Sequence, residues 1–221
     1  HIVLRVDTAK VPLDTRKDAI DRAMEIIRNR IDQFGVGEMA MQRQGKDNII
    51  VQLPGVTDRE RALDIIGKTA HLEFKLVSDN VEDLKKAIDN KPVDGYELIY
   101  LEGERAGREP LLIAKDASLT GDLLVNAKTE FSSRGFGEPY VSLTLNSKGA
   151  QIFANVTATN VGKRLAIVLD GKAVSAPVIR EAIPSGQAQI SGNFTVEQAN
   201  DLSVILRAGA LPAPVVVEEE R

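Results

Sequence analysis

Residues Thr15 to Gly35, TRKDAIDRAMEIIRNRIDQFG, carry the clearest single period in this 221-residue chain. Ile20, Ala23, Met24, Ile27, Ile31 and Phe34 recur at helical spacing and share one face, while Asp21, Arg22, Glu25, Arg28, Asn29 and Asp32 fall mostly on the other. The stretch predicts one long amphipathic helix, with Asp14 or Thr15 as its cap. Gly35 stands where a left-handed residue ends a helix, and Val36 is placed to touch Ile31 behind it. Such a helix needs a sheet to lie on.

The flanking residues supply one. Ile2, Leu4 and Val6 alternate with Arg5 and Asp7, predicting a strand; Met39–Gln44 and Asn48–Leu53 predict a hairpin turned at Gly45–Asn48. Thr57 with Glu60 has the form of a capping box, opening a second helix with Ala62, Ile65, Ile66 and Thr69 inward. His71–Leu76 alternates strictly, with Leu72, Phe74 and Leu76 inward and His71, Glu73 and Lys75 outward on an open face. The order βαββαβ predicts an α+β fold with a ferredoxin-like base.

Beyond residues 78–80 the regularity breaks. Val81–Asp89 predicts a short charged helix, and Leu111–Ala114 and Leu123–Ala127 predict strands or a short hairpin. Regular elements then resume: a strand at Val141–Leu145, a helix at Ser147–Thr159, and two strands around Asp170-Gly171, a pair suited to a turn with positive φ at both positions. Gln187–Ser191 predicts a short strand. Thr195 and Gln198 box the start of a last helix ending at Gly209, and Val215–Val217 is placed to add an edge strand. A boundary is therefore expected at residues 78–80, between the ferredoxin-like unit and a second α+β part.

The composition excludes much chemistry. With no cysteine there is neither a disulfide nor a thiolate nucleophile. The two histidines are His1 and His71, and His71 shares its predicted face with a lysine, so no metal site is expected. The loop between the first strand and the first helix, Thr8-Ala-Lys-Val-Pro-Leu-Asp14, lacks the glycines of a phosphate cradle. Residues 1–80 are charge-balanced and the net −4 lies in the remainder; with pI near 5.4 and no aromatic residue in the strands 2–6 and 48–53, nucleic acid is not an expected partner. No run of 18 apolar residues occurs, so the chain as given reads as soluble. Neither a cofactor nor catalytic residues are expected. What remains is a two-lobed binding module, with a small hydrolase and a structural spacer as the competing readings.

Five separated motifs then converge on one family. Asn29-Arg-Ile-Asp-Gln-Phe-Gly-Val36, Ile50-Val-Gln-Leu-Pro-Gly-Val56, Ala166-Ile-Val-Leu-Asp-Gly171 with Ser175-Ala-Pro177, Ile190-Ser-Gly192, and Leu206-Arg-Ala-Gly-Ala-Leu-Pro212 together resemble the SecD family of protein-export membrane subunits. The resemblance is to the large first extracytoplasmic domain, divided in that family into a base and an inserted head; it implies here a ferredoxin-like base over 1–78 completed by 211–221 and an inserted α+β head over 80–210. It implies an export role at the periplasmic face of the bacterial inner membrane, as part of a membrane-tethered protein. It further implies a base–head hinge that assists translocation driven by the proton gradient, and unfolded secretory polypeptide, SecF and the Sec translocon as partners. The family's proton-relay residues lie in transmembrane segments that this chain lacks, so no catalytic residue is carried over. The expected hinge positions are Ser78, Asp79 and Asn80 on one crossing and Gly209, Leu211 and Pro212 on the other. Leu112, Ile113, Phe131 and Phe136 are the candidate substrate contacts, with burial in the head core as the competing reading.

Overall fold

The computed structural model describes residues 2–35, 39–102, 107–133 and 137–220. The chain divides into two units, one of residues 1–70 with 204–221 and one of residues 71–203.

The first unit is built from β1 (Ile2–Val6), α1 (Arg16–Phe34), β2 (Ala40–Gln44), β3 (Asn48–Gln52) and α2 (Arg59–Gly67). α1 runs as its period requires, with Ile20, Ala23, Ile27 and Ile31 buried in one core with Leu4, Val6, Ile49, Val51 and Ile66. Gly35 ends it at φ +80. The Val36 contact expected behind it lies outside the described residues. The caps differ from expectation in two places. The Thr15 hydroxyl donates to Pro12 O instead of capping α1, and Asp58, not Thr57, accepts from the Arg61 amide at the start of α2. A carboxylate one residue nearer the helix reaches the free amides at lower cost.

The fourth strand of this sheet is not Leu72–Leu76. It is Val215–Glu220 at the far end of the sequence, which pairs antiparallel with β1, and the four-stranded sheet has that strand, β1, β3 and β2 in order. This is the ferredoxin-like strand order, closed by a strand delivered after the whole second unit has been inserted.

In the second unit, α3 through α5 and β4 through β12 follow in sequence: β4 (Leu72–Leu76), α3 (Val81–Ile88), β5 (Tyr96–Glu102), β6 (Arg108–Ala114), β7 (Leu119–Thr120), β8 (Leu124–Phe131), β9 (Pro139–Leu145), α4 (Ser147–Thr159), β10 (Leu165–Leu169), β11 (Lys172–Ser175), β12 (Gln187–Ile190) and α5 (Val196–Ala208), whose last turn belongs to the first unit; β13 (Val215–Glu220) is the completing strand described above. Two sheets form, one ordered β6-β5-β11-β10-β4-β7 and one ordered β12-β9-β8. Asp170 and Gly171 both take positive φ in the two-residue turn joining β10 to β11, and Thr195 and Gln198 exchange the reciprocal bonds of a capping box at α5.

The larger sheet closes on itself. Val77, at the end of β4, bridges Ile113 of β6, and Ser78 N donates to Leu112 O at 2.8 Å. Five strands thus enclose a narrow interior filled by Val77, Leu111, Ile113, Ala166, Val168, Ala173 and Ala176. Alanines suit so tight a ring. The other side of β4 carries Phe74, which meets Phe153 of α4 edge to face at 5.9 Å.

Ring closure overturns the expectation for Glu73 and Lys75. By register they stand beside Val168 and Ala166, on the enclosed side, and Lys75 is buried. A lysine tolerates that position because Glu97 accepts from Nζ at 2.8 Å and Glu73 lies 3.5 Å away.

Candidate functional site

α3 is held lightly. Asn80 caps it by accepting from the Glu82 and Asp83 amides, yet none of its residues is fully buried, and Val81 and Ile88 of its apolar stripe are exposed. A helix only half covered leaves part of the sheet beneath it open. The register of β5 and β6 sets Tyr96 opposite Ala114, Leu98 opposite Leu112 and Tyr100 opposite Pro110, so these six side chains share one face. Tyr96 and Tyr100 keep 36% and 44% of their surface exposed, a strip of aromatic area beside the helix.

Next to it lies a hollow of about 300 Å³, lined by Ala87, Lys91, Val93, Tyr96, Leu98 and Leu112 among others. Asn90, at φ +59, lines it, and with Gly95, at φ +74, turns the chain from α3 into β5. Glu97 at the rim is anchored by Lys75. Burial pushes the Lys75 ammonium down, but the hydrogen bond to Glu97 and the charge of Glu73 outweigh it, and the net shift is upward. At the far end of β6, Arg164 holds Glu109 at 2.6 Å and keeps that carboxyl below its ordinary range. The hollow thus combines an apolar floor, an exposed aromatic strip and a few charged rim groups, a surface suited to apolar and aromatic contact. Among the described residues, no group of three or more His, Cys, Asp or Glu side chains is placed to hold a metal ion.

The four candidate contacts do not come together. Leu112 lines the hollow but retains 1% of its surface, and Ile113, at 0%, points into the closed ring because neighbours on a strand face opposite sides. Both are therefore corrected from contact to core, Leu112 serving as the floor. Phe131 is exposed at the end of β8, on the other sheet. Phe136 lies outside the described residues. Tyr96 and Tyr100 are not among these four candidates, although YELIYLE alternates visibly at 96–102.

The positions expected to hinge lie within the units. Ser78 is bonded to β6, and Asn80 caps α3, with Asp79 exposed between them. Gly209 O accepts from Arg30, Leu211 N donates to Thr69 O, and Pro212 follows half-buried. The chain passes between units at Ala70/His71 and inside α5 at Ser203/Val204.

Comparison with known proteins places this architecture among protein translocase subunits. Residues 97–213 match the SecDF P1 head subdomain, and residues 20–79 match the N-terminal part of the SecDF P1 domain. The chain belongs to the SecDF family. It is 51% identical over 209 residues to the protein translocase subunit SecD of Desulfurispirillum indicum, covering 92% of this chain and 40% of that protein. The corresponding subunit of Calditerrivibrio nitroreducens is 49% identical over 226 residues, covering 100% and 43%. The chain thus spans about two-fifths of the length of these relatives. A solved structure of SecDF, described as a membrane component that enhances protein export, superposes with a TM-score of 0.75 at 39% identity, covering 100% of this chain and 98% of that one. SecDF in a super-membrane-facing form gives 0.78 at 37% identity, covering 99% of this chain and 29% of that one. Among the described residues no helix is long and apolar enough to cross a membrane.

Proposed function

We propose that this chain is the extracytoplasmic P1 portion of a SecD subunit and that it holds emerging secretory polypeptide during export. The reading places it on the periplasmic side of the inner membrane, working with SecF and the Sec translocon under the proton gradient. The observation that carries it is the half-covered strip of Tyr96, Leu98 and Tyr100 beside the α3 hollow, which offers apolar and aromatic surface with Lys91 and Glu97 as charged groups at the hollow. Surface of that kind takes many sequences, as an export substrate demands. Movement of one unit against the other would turn on the joints at Ala70/His71 and Ser203/Val204, since the groups at Ser78–Asn80 and Gly209–Leu211 are tied inside their own units.

The test pairs binding with export. Tyr96→Ser with Tyr100→Ser should weaken binding of an unfolded preprotein to this chain several-fold and slow pulse-labelled export by the full-length subunit, at unchanged subunit abundance. Wild-type binding and export by the double variant would remove the strip from the mechanism. Absence of any binding by the wild-type chain would leave a spacer. For movement, dyes on cysteines introduced at Lys46 and Lys128, both exposed, report each unit in a chain with no native cysteine; a single unchanging transfer efficiency during export would refute it.

A further inference from the structure

We infer that α3 is an internal occupant of the Tyr96–Leu98–Tyr100 face, a tethered plug that a captured polypeptide displaces. The inference rests on the export reading above and concerns the regulation of that same site. α3 packs as a ligand does, not as a core helix does. Val81, Leu84 and Ile88 stand at three- and four-residue spacing and form one apolar stripe, which a core helix lays flat on its sheet. Here the helix is rolled off that contact. Leu84 and Ala87 are half-buried against β5 and β6, while Val81 and Ile88 keep 61% and 44% of their surface.

What holds α3 as a helix is local. Asn80 caps its start, Lys86 reaches Asp83 at 2.7 Å, and its end is closed by Asn90 N donating to Ala87 O at 3.1 Å and Lys91 N to Lys86 O at 2.9 Å. None of these bonds involves the sheet, so lifting the helix sacrifices little beyond the two half-buried side chains. The segment is tied at both ends to one place. Ser78 N donates to Leu112 O within β6, and Lys115 N, just past β6, donates to Gly95 O at 3.0 Å. Between these anchors Asp79, Lys91, Pro92 and Asp94 are exposed. A surface segment with its ends fixed close together and few anchors between them opens at low free energy.

Beneath α3 lies the centre of the proposed binding face. The Leu98–Leu112 pair sits between the Tyr96–Ala114 and Tyr100–Pro110 pairs, and Leu98, Leu112 and Ala87 share the hollow. Departure of α3 therefore joins the two exposed tyrosines into one continuous apolar face. The tether keeps the plug at high effective concentration, so its small contact suffices to occupy the face at rest. A partner offering a single apolar side chain does not outcompete it, whereas an extended chain offering several does. The plug thus sets a threshold that favours unfolded polypeptide.

The experiment compares the wild-type chain with Leu84→Ser, which removes the larger of the two half-buried α3 side chains and leaves the strand face untouched. A fluorescein-labelled peptide of leucine and phenylalanine spaced by serine, with terminal lysines, is titrated into each, and amide exchange is followed by NMR. Leu84→Ser should bind the peptide about threefold or more tightly, because the fraction of open chains rises. Off the sheet a helix of eight residues frays. The amides of Leu84 and Asp89, bonded to Asn80 O and Lys85 O, should therefore exchange about fivefold or more faster when the wild-type chain is saturated with peptide. Weaker or unchanged binding by Leu84→Ser, or α3 amides that slow or stay the same on saturation, makes α3 a fixed wall of the site. Either result overturns the plug and leaves the export reading intact. If neither chain binds the peptide or an unfolded preprotein, the export reading falls and the plug with it.

Discussion

Arg30→Met tests the least expected feature of the first unit. Arg30 sits on α1 and is fully buried. Nη1 donates to Ile65 O at 2.9 Å, Ile66 O at 3.1 Å and Lys68 O, and Nη2 to Gly209 O at 2.9 Å. These carbonyls end α2 and follow α5, where unsatisfied oxygens and the negative pole of each helix favour a cation. Hydrogen bonds to a charged group contribute about 1.5–3 kcal/mol each and do not add. Methionine preserves much of the volume and removes the desolvation cost of the charge, which offsets part of the loss. The net expectation is a destabilisation of about 3–5 kcal/mol, since several buried carbonyls lose their donor at about 1–3 kcal/mol each and part of that is offset. At roughly 4–8 °C per kcal/mol for a unit of this size, the first unit should melt more than about 12 °C earlier. Arg30→Lys should recover only part, since one ammonium cannot span four carbonyls in the planar fork's geometry. Arg28→Met, on the exposed face, is the control. The assay is calorimetry or urea unfolding of the whole chain. An Arg30→Met transition within about 1 kcal/mol of wild type would show that the carbonyls are satisfied otherwise and that the guanidinium is not what joins these helix ends.

Two further outcomes concern the second unit. Thr129 Oγ1 and Ser175 Oγ are buried without a hydrogen-bond partner from the protein, so Thr129→Val and Ser175→Ala should each raise stability by about 1 kcal/mol; lower melting temperatures would show that the hydroxyls are held after all. The pH profile follows from Lys75 and Glu109. The Lys75 pKa is raised in the folded chain, so its contribution is complete below the unfolded value near 10.5 and is lost as pH rises through the higher folded value. The Glu109 pKa is depressed by Arg164, so its contribution is present above the ordinary carboxylate pKa and is lost as pH falls through the lower folded value. Calorimetry should find a plateau between these limits, an acid limb reduced by Glu109→Gln and an alkaline limb reduced by Lys75→Met; limbs unchanged in the variants would mean that other groups set them.

How far the sequence could be read depended on whether a segment's neighbours were themselves close in sequence. α1 was readable because its period is intrinsic and both ends are marked, and Asp170-Gly171 because a two-residue turn is a local event. The order βαββαβ was also correct for the first unit, but Leu72–Leu76 and Val215–Glu220 both satisfy the alternation of a fourth strand, and nothing local chooses between them. Pairing chose: Leu72–Leu76 is satisfied on both edges by strands of the second unit, and β1 is left for β13. The same step explains the candidate site. Glu73 and Lys75 alternate with leucines and phenylalanine as a solvated face does, and only the Val77–Ile113 bridge, which closes the ring, puts them inside. That closure buries Ile113, and by turning Leu112 outward beneath α3 it makes the floor of the hollow from one residue of the pair and core from the other. A site formed where a sheet meets its own far edge is a property of closure. Its best sequence signal is the alternation of Tyr96, Leu98 and Tyr100, large side chains on a strand face whose covering helix is only eight residues long.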